Sequence, residues 1–236
     1  MDYRVLHANK NAINTQYLEK AILAGATTAF SLARLSHIDV NEGRKKNYMY
    51  IQEGTVSKFF SKSNGSIQFN MFYAFNDILG LIEPIDISIN YFEYSAMSDV
   101  KGFLVDVKWT QDYIAQGNSD LILVNLQRES FWKDSVSKLI TLRSTEKVYY
   151  ILFLISEYRI LNGLAKTLGL PKFVTHDVIA RICGISREQV TRILSRLKKD
   201  GIVRVDDSGN LVILDSLFLK NALEIEEEEE NELPNL

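Results

Sequence analysis

A single cysteine, Cys183, stands among the 236 residues. That is too few for a disulfide framework and far short of the roughly four thiolates an iron–sulfur cluster takes. Histidine is nearly as scarce. His7, His37 and His176 fall in three separate segments, so no clustered set is offered to zinc or haem, and neither a metal nor another cofactor is expected. No apolar run approaches the length of about 18 residues that a membrane span needs. The start Met1-Asp2-Tyr3-Arg4 lacks the basic stretch and following apolar segment of an export signal. A cytoplasmic protein with no membrane partner is expected. Catalytic signatures are absent too: there is no Gly-rich phosphate loop, no nucleophile elbow and no paired His-Glu helix motif. The chain reads as a binding protein and not an enzyme.

Hydrophobic residues make up 46% of the chain and charged ones 24%, the balance of a globular protein able to bury a core. The most informative stretch is Gly184 to Leu197. Ser186 can cap a helix while Gln189, three residues on, reaches back to the cap's own N–H. Val190, Ile193, Leu194 and Leu197 then share one face, leaving Arg187, Glu188, Thr191 and Arg192 on the other. Thr175 to Cys183 is a second short helix with Val178, Ile179 and Ile182 on its apolar side. Gly184-Ile185-Ser186 joins the two in a tight turn, which is the helix-turn-helix pattern. Gly201 stops the second helix, and 202–205, 206–210 and 211–214 read as strand, turn and strand, a wing.

The net charge of −3 hides an asymmetry. Residues 224–236 hold seven carboxylates and no base, so residues 1–223 carry +4, and Lys172 to Arg204 carries eight bases against three acids. Local charge sets the field that a phosphate backbone meets. The acidic tail reads as solvated low-complexity sequence.

Ahead of the motif, Ile13, Tyr17, Leu18, Ala21 and Ile22 lie at helical spacing. Between Phe30 and Val107 the pattern changes to short alternating segments punctuated by Gly43, Gly54, Gly65 and Gly80, with a hairpin expected at Lys62-Ser63-Asn64-Gly65-Ser66. These strands predict a small β-barrel or sandwich. Phe59, Phe60, Phe69, Phe72, Tyr73, Phe75, Tyr91, Phe92 and Tyr94 either fill its core or line an apolar or peptide-sized pocket. A short helix is expected over Trp109–Gln116, and a long one from an Asn118-Ser119-Asp120 cap to about Leu142, with its apolar stripe interrupted by Arg128. Another helix restarts at Ser144. Its run from Val148 to Ile155 is apolar all round, as suits a helix packed between two domains.

The pattern Val174-Thr175, Ile179-x-x-Ile182, Gly184-x-Ser186-Arg187-Glu188-x-Val190-x-Arg192-Ile193-Leu194 resembles, without a gap, the DNA-binding module of the cyclic-AMP receptor and fumarate-nitrate regulator (CRP/FNR) family. The segment Tyr48 to Val56 resembles the strand and Gly-turn that open that family's β-roll. The resemblance implies an α+β fold: an N-terminal cyclic-nucleotide-binding-like β-roll with a helical segment (1–117), a dimerisation helix (118–143) and a winged helix-turn-helix (144–223), ahead of the tail (224–236). It implies a homodimeric transcription regulator on double-stranded DNA, with palindromic half-sites close to TGTGA and RNA polymerase as a further partner. Carried over, Arg187, Glu188 and Arg192 are base contacts. Lys172, Thr175, His176, Ser186, Gln189, Thr191, Arg196 and Lys199 are candidates for the DNA backbone. Leu121, Val124, Phe131, Trp132, Val136 and Leu139 are the expected dimer interface.

Members of the family that bind cyclic AMP clamp its phosphate with an arginine beside a Ser or Thr. No arginine occurs between Lys45 and Gln127, so the bidentate clamp is missing. The chain resembles an effector-diverged member that does not use cyclic AMP in the known way. Two other readings stay open: a winged helix serving a protein partner, and a regulator answering to an unidentified small molecule or peptide in the roll.

Overall fold

The computed structural model describes residues 3–38, 47–61, 67–82, 92–161 and 165–223. Helix α1 (Tyr3–Leu23) leads into strands β1 (Thr27–Leu32), β2 (His37–Ile38), β3 (Asn47–Glu53), β4 (Val56–Ser61), β5 (Ile67–Tyr73), β6 (Asp77–Leu79), β7 (Phe92–Ala96) and β8 (Val100–Asp106). They form two antiparallel four-stranded sheets, ordered β1-β8-β3-β6 and β2-β7-β4-β5. Alternation sets the register: on β3, paired with β6 through Tyr50 and Ile78, Tyr48, Tyr50 and Ile51 are buried. Helices α2 (Val107–Ala115), α3 (Asp120–Thr141) and α4 (Ser144–Leu161) follow.

The winged module contains β9 (Gly169–Leu170), α5 (His176–Cys183), α6 (Arg187–Lys199), β10 (Val203–Val205), β11 (Leu211–Ile213) and α7 (Ser216–Ala222). Its sheet runs β10-β11-β9. The third strand comes from the segment ahead of the helix-turn-helix, a pairing of two residues too short to leave a sequence pattern. A Cβ on Gly169 would lie 2.4 Å from Leu211 O, so glycine lets β9 approach its neighbour.

The expected hairpin at Lys62–Ser66 lies outside the described residues, as do Tyr91 and the acidic tail, although β4 and β5 on either side of the hairpin pair antiparallel. Gly54, at φ +93°, closes the turn between β3 and β4 where an added Cβ would meet Asp99 O at 2.2 Å. The roll's aromatics divide. Phe59, Phe69, Phe72, Tyr73 and Tyr94 are buried core, while Phe92 is exposed. Trp132 of α3 sits among Phe69, Phe72, Phe131 and Tyr158 at ring distances of 5.0–5.9 Å, in the edge-on and tilted arrangements aromatic quadrupoles favour.

Helix α1 packs Tyr17, Leu18 and Ala21 against Tyr48, Tyr50, Ile78 and Val105 of the first sheet, while Ile22 faces solvent. Tyr17 Oη lies 2.7 Å from Thr110 Oγ1 of α2. The α3–α4 break falls at Leu142, whose extended backbone (φ −78°, ψ 154°) ends α3. Val148, Ile151 and Leu152 of α4 are fully buried, in one continuous core with the roll, α3 and the winged module. No helix among the described residues is long and apolar enough to cross a membrane.

Candidate nucleic-acid interface

Each helix of the motif is fixed at its ends by the residues that suggested it. Thr175 Oγ1 accepts from the Val178 N–H at 3.4 Å to start α5, and Gly184 ends it in the left-handed conformation at φ +63°, which glycine adopts without a Cβ penalty. At the start of α6, Ser186 Oγ accepts from Gln189 N at 3.2 Å while Gln189 Oε1 accepts from Ser186 N at 3.1 Å. This reciprocal pair satisfies two otherwise orphaned donors. Val190, Ile193, Leu194 and Leu197 are buried against Ile179, Ile182 and Cys183. Burial pushes the Cys183 thiol up to about 12, so it is a core residue with no thiolate character.

The opposite face of α6 is open. Arg187, Glu188, Thr191, Arg192, Arg196 and Lys199 are exposed. Glu188 accepts from its own backbone N–H and from the Ser186 side chain, which holds its carboxyl below the usual range and keeps it an ionised acceptor. Arg187 Nε lies 3.4 Å from Asp177 Oδ1 of α5, and Arg196 Nε 3.6 Å from Asp200 Oδ2. Both pairs are solvent-exposed and therefore weak, so a stronger acceptor can displace them. His176 Nδ1 lies 2.9 Å from Thr191 Oγ1, a brace between α5 and α6. Burial and the nearby Lys198 and Arg187 lower the His176 pKa.

Of the residues named as backbone contacts, Thr175, Ser186 and Gln189 hold helix ends, and His176 and Thr191 hold each other. Lys172, Arg196 and Lys199 project their charge into solvent. The wing turn is organised by Asp206, whose Oδ1 accepts from Ser208 N at 3.0 Å and Asn210 N at 2.8 Å. Asn210 Oδ1 accepts from Lys172 N at 3.2 Å, so the wing and the segment leading into α5 are tied together.

Helix α3 turns most of the residues expected at the dimer interface into the chain itself. Leu121, Val124, Trp132 and Leu139 are 1%, 6%, 0% and 5% exposed, because they pack on the chain's own roll, α1 and α4. Phe131 and Val136 are partly buried at the edges of that face. The accessible apolar groups lie opposite: Leu123, Leu126 and Ile140 are 55%, 46% and 58% exposed, and Ser130 and Ser137 continue their line. The apolar stripe was legible, but its spacing alone could not show that it packs within the chain.

A buried polar junction escaped the sequence reading. Lys10 Nζ lies 2.6 Å from Asp77 Oδ1, and Arg128 Nε lies 2.9 Å from the same oxygen, off the line of its N–H bond. Asp77 Oδ2 accepts from Tyr158 Oη and from Ala74 N, each at 2.7 Å. Asn14, Asn76 and Asn125 extend the network, with Asn14 Nδ2 donating to Asn76 O at 2.7 Å and Asn125 Nδ2 to Asn14 Oδ1 at 3.0 Å. The break that Arg128 makes in the α3 stripe was the one available signal.

A β-roll joined by a long helix to a winged helix-turn-helix defines the class of protein. The Crp-like helix-turn-helix domain family matches residues 149–222. A stretch of 53 residues is 32% identical to the anaerobic regulatory protein of Bacillus subtilis (strain 168), and that match spans 22% of each chain. Among solved structures, FixK2 from Bradyrhizobium japonicum is similar over 83% of this chain and 96% of its own, with a TM-score of 0.67 at 21% identity. A cyclic nucleotide-binding domain containing protein from Listeria monocytogenes EGD-e is similar over 88% and 99%, with a TM-score of 0.68 at 16% identity. These two share the fold. The family match covers the C-terminal module, and over the rest of the chain the likeness is one of fold.

Proposed function

We propose that the protein is a sequence-specific DNA-binding transcription regulator that acts as a homodimer, and that it has no enzymatic activity. The observation that carries this reading is the exposed outer face of α6, where Arg187, Glu188 and Arg192 stand clear of the core on a helix locked at its N-terminus. Arginine offers paired donors to guanine O6 and N7, and glutamate accepts from the cytosine amino group. Lys172, Arg196 and Lys199 supply charge to flanking phosphates, and the wing lies beside them. Two protomers related by a two-fold axis would set their α6 helices in successive major grooves about 34 Å apart. The half-site carried over from the family is close to TGTGA. The exposed Leu123, Leu126 and Ile140 of α3 supply the face by which two copies pair.

Control by cyclic AMP in the known way does not suit this roll, which has no arginine from Lys45 to Gln127. Its buried Lys58 sits 4.2 Å from the Phe92 ring centroid and 5.7 Å from that of Tyr94. The reading is tested by titrating the protein onto a duplex carrying inverted TGTGA half-sites at about 50 and 200 mM salt. A phosphate-contacting dimer should lose about a thousandfold or more in affinity. No binding, or binding indifferent to salt, contradicts it and favours a protein partner for the winged helix.

A further inference from the structure

A cavity of about 210 Å³ opens between the roll and the DNA-binding module, away from the interior of the roll. One wall is the Gly54-Thr55 turn, the end of β5 with Phe72 and Ala74, and Ser98. The other is Ile155, Tyr158 and Arg159 of α4 with the Pro171–Val174 segment that leads into α5. These walls are held in place before anything binds. Ser98 Oγ accepts from Thr55 N at 3.1 Å, Pro171 O accepts from Val174 N at 2.9 Å, and Gly169 O accepts from Arg159 Nη1 at 2.8 Å.

The lining defines a ligand. Phe72, Ala74, Ile155, Pro171, Phe173 and Val174 offer an apolar surface. The polar groups are the hydroxyl of Thr55 and the guanidinium of Arg159, since Tyr158 already donates its hydroxyl proton to Asp77 and Ser98 donates its own to Asp99 O. No carboxylate lines the cavity among the described residues. A guanidinium carries five donors and can serve a backbone carbonyl and an anion at once. A dry apolar cavity of about 150 Å³ takes benzene, so this one holds a body of that size with a small charged group added.

We infer that the interdomain cavity binds a small monocarboxylate with a compact apolar body, its carboxylate held by Arg159 and the hydroxyl of Thr55. Such a ligand touches the roll and the module together. Val174 directly precedes Thr175, the cap of α5, so occupancy sets how the helix-turn-helix sits on the roll. That last consequence rests on the DNA-binding reading, whereas the binding itself does not.

The test is calorimetry on the full chain with benzoate and hexanoate, each against its alcohol, benzyl alcohol or hexanol, and with no DNA present. At least one acid should saturate at one per chain and bind at least tenfold more tightly than its alcohol. Arg159→Gln should erase that preference, and Ala74→Leu, which fills the cavity, should abolish binding. If either variant fails to fold, methyl spectra of the wild-type protein decide the matter, since the Ala74, Ile155 and Val174 signals should shift on titration. The inference is overturned if neither acid saturates, if acid and alcohol bind alike, or if the shifts map elsewhere. Any of these results leaves the DNA titration unaffected.

Discussion

Tyr158, on the helix that opens the winged module, donates its hydroxyl proton to Asp77 Oδ2 at 2.7 Å across the boundary between module and roll. Asp77 is fully buried and also faces Lys10 from α1 and Arg128 from α3. Burial alone would raise its carboxyl, but Arg128 and Lys10, with the hydrogen bonds from Lys10 and Tyr158, bring it down to about 2. Four elements therefore meet on one carboxylate.

Removing that charge should cost far more than removing one bond to it. Asp77→Asn removes the carboxylate that both buried cations face and should lower stability by about 3–5 kcal/mol. Tyr158→Phe keeps the ion pairs and should cost about 1.5–3 kcal/mol, the worth of a hydrogen bond to a charged group. Urea midpoints of the two variants should rank in that order.

His7 makes folding pH-dependent. Both its ring nitrogens are buried without partners, and its ring packs edge-on against Phe131 and Tyr158. Burial, then Lys10, and to a lesser degree Arg128, lower its pKa from 6.5 to about 4, against the opposing pull of Asp77. The folded state thus resists protonation that the unfolded chain accepts. Stability is full above pH 6.5 and falls between 6.5 and 4 by about 3 kcal/mol. The loss from Asp77 comes lower, between its unfolded value of 3.8 and about 2. His7→Phe should flatten the upper window in urea titrations and leave the lower one intact.

Substitutions on the outer face of α6 should separate binding from folding. Arg187→Ala, Glu188→Ala and Arg192→Ala should each lose about 1–3 kcal/mol of discrimination at one base pair. Because these side chains are exposed, unfolding free energy should move by no more than about 0.5 kcal/mol. Lys172→Ala should instead weaken binding to all sequences alike and reduce the salt slope by about 1. Anisotropy titrations with matched and mismatched duplexes read both effects.

The two faces of α3 should respond differently. Leu126→Asp puts a charge on the exposed face and should shift sedimentation from dimer to monomer without unfolding the chain. Trp132→Ala opens a cavity among four aromatic rings and should cost about 3–5 kcal/mol of stability. A dimer that survives Leu126→Asp would place the pairing surface elsewhere.

Local chemistry is what the sequence made legible. Ser186 and Gln189 form the capping box they were expected to form, Gly184 turns left-handed, and the apolar side of α6 is buried, because all three depend on neighbours within four residues. Long-range choices were hidden. Leu121 and Trp132 have the spacing of an interface and serve the protomer's own core. Lys10, Asp77 and Arg128 lie far apart in the chain and meet only when α1 docks on the roll. The cavity is likewise a product of how two domains pack, with Ala74 and Arg159 brought together from distant segments.

The most direct test of the account is selection of purified protein on randomised duplex DNA. It predicts enrichment of an inverted repeat with TGTGA-like half-sites whose centres lie about one helical turn, or 34 Å, apart. Recovery of a non-palindromic sequence, an AT-only preference, or no enrichment at all would contradict it.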